Sequence, residues 1–160
     1  MARRQPTVPV IIVLLSCLAL TATPLRSDSA QAQSSSNAYK PSLGDIMGAT
    51  QLRHFKLYFA GRLQNWDLAR YELEQIKASF TDAATLYPGI PISDMSIMSE
   101  PAKQLDQAIE AKDSAKFAKA FEDMTAGCNA CHRAIGRGFI AIRLPTSSPF
   151  SNQDFAPEKK

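Results

Sequence analysis

Cysteine and histidine are scarce in this chain, with three of the one and two of the other in 160 residues. That excludes a disulfide framework, which needs several pairs to staple a small fold. A dominant charge is missing too. Eighteen Lys and Arg face fifteen Asp and Glu, a formal net charge of +3, so the sequence has no basic footprint for nucleic acid. No strong alternating run of β-branched residues appears before Phe139, which argues against a sheet protein. No segment repeats internally. The chain is too short for two comfortable cores, and 45% apolar content suits one globular domain.

What is present begins with an export pattern. Arg3 and Arg4 precede an uncharged apolar stretch from Val8 to Ala22, and Ala30 and Ala32 flank Gln31 in a small-residue cleavage site. Residues 1–32 therefore read as a signal peptide that is cleaved on export. The apolar run is short for a membrane span, contains Pro9, and leads into the Ser- and Gln-rich stretch from Ser27 to Asn37. Leu14, Leu15 and Ser16 before Cys17 loosely resemble a lipoprotein box, and the alternative is a chain lipid-anchored at Cys17. Against it, Leu18, Ala19 and Leu20 keep that cysteine inside the hydrophobic run. Loss of residues 1–32 removes three arginines and one aspartate, which leaves a formal charge of +1, and removes Cys17, which leaves Cys128 and Cys131.

The mature chain reads as all-α: a flexible segment over 33–41, an antiparallel four-helix bundle over 42–138 and an extended tail over 139–160. Ser42 caps a first helix that runs to about Arg62, near a break at Gly61 and Asn65. Asn65 caps a second, whose residues Ala69, Leu73, Ile76, Phe80, Ala83 and Tyr87 follow the spacing of a buried stripe. Pro88, Gly89 and Pro91 end it. A third carries Met95, Met98, Ala102, Leu105 and Ile109 on one side. Pro101 there implies either a kink or a start at Ser99. Asp113 caps a fourth, with Phe117, Phe121, Met124, Cys128 and Ile135 sharing a face and Gly136 or Gly138 as its stop. The Met and aromatic residues of these stripes are core by default.

The chemistry lies in Cys128-Asn129-Ala130-Cys131-His132, the spacing of a c-type haem attachment site. Residues three apart on a helix share nearly one face, so both thiols can reach the two vinyl groups on one porphyrin edge. His132 then follows as the proximal iron ligand. Three other chemistries use such residues. A zinc site would need His54 as fourth ligand, yet the adjacent Cys131 and His132 are poorly placed on one tetrahedral ion. A thioredoxin-like CxxC opens a helix, whereas this one lies near a helix end. A disulfide across two residues would staple almost nothing.

Four helices with CxxCH on the last resemble cytochrome c prime and its low-spin relatives over about residues 40–139. The resemblance implies a bundle holding haem c between its last and first helices, and a homodimer through its first two. Many members carry a basic residue four positions after the motif; here Gly136 stands there, with Arg133 and Arg137 nearby. The tail beyond Phe139 is longer than is usual in that family.

The resemblance also implies that a first-helix residue faces the open side of the iron. Met47, Gln51, His54, Tyr58 and Gly61 form a stripe on that helix, and it carries two candidate distal ligands, Met47 and His54. They stand about 10 Å apart along the axis, so one iron takes only one of them. Met47 is otherwise a packing residue, and His54 an exposed or hydrogen-bonded side chain. The expectation is an electron-transfer cytochrome of the bacterial periplasm, not an enzyme, that meets a redox partner protein and no nucleic acid. The alternatives are a five-coordinate haem protein that binds NO or CO, and a haem-free helical interaction module.

Overall fold

Helix boundaries follow the capping residues closely. The computed structural model describes residues 39–90 and 97–159, so the signal peptide, Cys17 and Met95 lie outside the described residues. Helix α1 spans Leu43–Arg62 and opens on a capping box. The Ser42 hydroxyl accepts from the Asp45 N–H at 3.1 Å, and the Asp45 carboxylate accepts from the Ser42 N–H at 3.0 Å. After a left-handed Gln64, the Asn65 side chain accepts from the Leu68 N–H at 3.2 Å and opens α2, Trp66–Leu86.

Helix α3 is Ser99–Glu110, which settles the role of Pro101. It sits in the first turn, where a helix has no intrahelical use for its N–H, so no kink is needed. Asp113 accepts from the N–H groups of Ala115 and Lys116, both at 3.0 Å, and opens α4, Ser114–Ala134. Gly136, at φ 71°, stops it.

The four helices form an all-α, antiparallel four-helix bundle, each packing on the next and α1 closing the ring on α4. The described residues contain no strand. Its interior is the apolar stripes: Leu57 of α1, Leu73 and Ile76 of α2, Leu105 and Ile109 of α3, and Phe117, Phe121 and Met124 of α4 are all buried. Met98, just before α3, joins them. Polar pairs register the neighbours. Arg53 meets the buried Glu72 at 3.1 Å between α1 and α2, and Lys77 meets Asp106 at 3.0 Å between α2 and α3.

Where α1 meets α4 the chains come close at Gly61. A Cβ there would lie 2.1 Å from Cζ of the buried Phe117 ring, so only glycine permits the approach. The tail then runs back along α1 without helix or strand. Phe155 is buried against Phe59 and Phe150, Pro145 is buried, and the Asn65 amide donates to the Ala156 carbonyl at 3.1 Å. It covers part of the outer surface of α1, one of the two helices through which the resemblance implies pairing.

Two glycines of α1 separate packing from propensity. Gly61→Ala gains up to about 1 kcal/mol of helix propensity but forces a methyl into a rigid ring, and overpacking of that kind costs about 1–3 kcal/mol. A net loss of stability is expected in urea unfolding. Gly48→Ala, where an added Cβ meets nothing, should gain up to about 1 kcal/mol in the same measurement.

Candidate functional site

Antiparallel pairing sets the N-terminal half of α1 beside the C-terminal end of α4. From the tight end at Gly61 and Phe117, the pair passes through His54 beside Thr125 and opens at Met47, Cys128 and His132. The opening is a cleft of about 380 Å³ lined by Met47, Gln51, His54, Cys128, His132 and, from the tail, Ile140 and Ile142. An adjoining small apolar cavity is walled by Met47, Cys128, Cys131 and His132 together with Phe80 of α2 and Met98. The motif therefore faces space bounded by the other helices. Met47 borders both cavities.

His132 is half-buried, and its Nδ1 lies 2.9 Å from the Ile140 carbonyl oxygen. A carbonyl only accepts, so Nδ1 carries a proton, and in the neutral tautomer this fixes, the lone pair lies on Nε2. Ile140 can reach back because Gly136 turns the chain at the end of α4, and Asn129 holds the returning segment through Ile142.

Burial and the neighbouring Cys131 push the Cys128 thiol up to about 11, so it is protonated at neutral pH. The partial negative charge of a helix C-terminus acts in the same direction. This is the reverse of the setting that activates a thioredoxin-like cysteine. The zinc set is not assembled either: among the described residues no three His, Cys, Asp or Glu side chains converge on one ion position.

His54 is placed differently from Met47. Its ring is buried and packs on Phe121 at 4.4 Å, and its Nε2 lies 2.9 Å from the Thr125 hydroxyl oxygen. The Thr125 proton is donated to the Phe121 carbonyl at 2.9 Å, so His54 Nε2 is the donor to Thr125. It is a core histidine with a dedicated partner, at the inner end of the cleft. The sequence reading missed Thr125, Asn129, Ile140 and Ile142. A Thr three residues before Cys128 and an isolated apolar run in the tail were the only signals for them.

Burial lowers the His54 pKa from 6.5 to about 4. The unfolded chain binds this proton more readily than the folded one between those values. The stabilisation is complete above pH 6.5 and is lost as pH falls toward 4, by about 3 kcal/mol in all. Urea midpoints measured from pH 7 to pH 4 should fall accordingly, and His54→Gln should flatten that slope. Among the described residues, no helix is long and apolar enough to cross a membrane. Set against protein-family models, curated proteins and solved structures, the chain finds no match in any of the three.

Proposed function

We propose that the chain is an exported, single-haem c-type cytochrome that transfers electrons. In this reading Cys128 and Cys131 hold the haem through thioethers, His132 Nε2 is the proximal iron ligand and Met47 is the distal one. The observation that carries it is the hydrogen bond from His132 Nδ1 to the Ile140 carbonyl, which holds the motif histidine in the ligand tautomer beside a cleft that Met47 also lines. The residues present fit the group. Two half-buried thiols lie three apart on α4, the cavity walls beside them are apolar, and Arg137 borders the cleft as a counter-charge for an acidic haem edge.

Haem would supply a one-electron couple; the chain's own residues set its conditions. His132 and Met47 would hold the iron, and a thioether ligand raises the potential relative to a second imidazole. The apolar walls from Phe80 and Met98 lower the local dielectric and exclude water. His54 favours Met47 as the distal group, because its own Nε2 is held by Thr125. Export to the bacterial periplasm is supported by the pattern of residues 1–32 and suits a cofactor bonded to the chain.

Three measurements test the reading. Protein produced with a haem-maturation system should keep its haem through denaturation and acid extraction and carry one haem's added mass; complete loss on extraction would sink it. Periplasmic material should start near residue 33, whereas a lipid-modified start at Cys17 would make the protein membrane-anchored. The reduced protein should show a sharp low-spin band. Met47→Ala should convert that band to a high-spin one and open the iron to carbon monoxide, while His54→Ala should leave the band in place. A wild type that is already high-spin would turn the assignment to gas binding.

A further inference from the structure

We propose that Asn129, inside the CxxCH motif, is a positioning residue for His132 and acts through the C-terminal tail. The inference rests on the haem reading above. Asn129 makes a two-point clamp on one tail residue: its Oδ1 accepts from the Ile142 N–H at 2.7 Å and its Nδ2 donates to the Ile142 carbonyl at 2.9 Å. Two residues earlier in the tail, the Ile140 carbonyl accepts from His132 Nδ1 at 2.9 Å.

The two contacts match because the periodicities match. Asn129 and His132 are three apart on α4 and share a face, while carbonyls two apart on an extended segment point the same way. Running antiparallel, the tail sets 142 against 129 and 140 against 132. Fixing Ile142 therefore fixes the Ile140 carbonyl. Phe155, buried against Phe59, holds the far end of the tail to α1.

The chemistry needs an amide at 129. Alanine offers no clamp, and aspartate keeps an acceptor for the Ile142 N–H but sets a second oxygen against the Ile142 carbonyl. With the clamp intact, His132 keeps its proton on Nδ1 and is a stronger donor through Nε2, because a hydrogen bond to a carbonyl raises the basicity of a ligating imidazole. The same segment carries Ile140 and Ile142 into the wall of the cleft, so the clamp also closes that wall.

The test compares Asn129→Ala, Asn129→Asp and Ile142→Pro, the last removing the N–H from the tail side. In the haem-loaded full chain, all three should retain covalent haem, raise the reduction potential and speed exchange of the His132 Nδ1 proton with solvent. A residue that merely fills space would leave Asn129→Asp like the wild type. Unchanged potential and proton exchange in Asn129→Ala and Ile142→Pro would overturn the proposal. If the wild type carries no haem, the functional reading fails separately, and nitrogen NMR of His132 in the haem-free chain decides this one. An Nδ1–H tautomer that becomes mixed in Asn129→Ala supports the clamp, and the same tautomer in both overturns it.

Discussion

The crossing of α1 and α4 is the contact on which the remainder depends. At one end Gly61 lets the Phe117 ring lie against the α1 backbone, at a distance no side chain would allow. At the other, the two helices line the cleft that lies between Met47 and the motif. The pair is a wedge. Its closed end is filled by aromatic packing of Phe117, Phe121 and Tyr58, and its open end coincides with Cys128 and Cys131, the two cysteines among the described residues.

Buried polar groups along the wedge and at the α1–α2 contact beside it are matched. His54 donates to Thr125, Thr125 donates to Phe121, and the buried Glu72 is met by Arg53. Among the described residues no buried side-chain nitrogen or oxygen lacks a partner. An unmatched group at such depth would cost about 1–3 kcal/mol, so these pairs specify register more than they add stability. They place His54 one step deeper than the cleft's mouth, with its Nε2 held by Thr125.

The end of α4 is where structure and chemistry meet. Burial and the neighbouring Cys131 raise the Cys128 thiol pKa, and the last turn of the helix leaves backbone carbonyls without intrahelical partners. The tail completes this end by supplying the carbonyl that His132 needs. A bundle of four helices alone has no such group there, since its own carbonyls point along the axis.

The helices, their caps and the Cys128-to-His132 motif were legible from sequence because each rests on local spacing. Ser42, Asn65 and Asp113 cap through bonds to residues two or three positions on, and the stripe of α2 repeats with the helical period. The motif likewise spans five consecutive residues. The different surroundings of Met47 and His54 were not legible, because both lie on one stripe of α1 and both line the cleft, while only His54 meets Thr125 and Phe121 of α4. The roles of Asn129 and the tail were hidden for the same reason. Ile140 lies eight residues from His132 and Ile142 thirteen from Asn129, and no local periodicity links a helix to the chain that folds back on it. Spacing along the chain determined the elements and the reactive residues, and tertiary structure alone decided which of those residues face one another, because that depends on how helices already formed bury their apolar faces together.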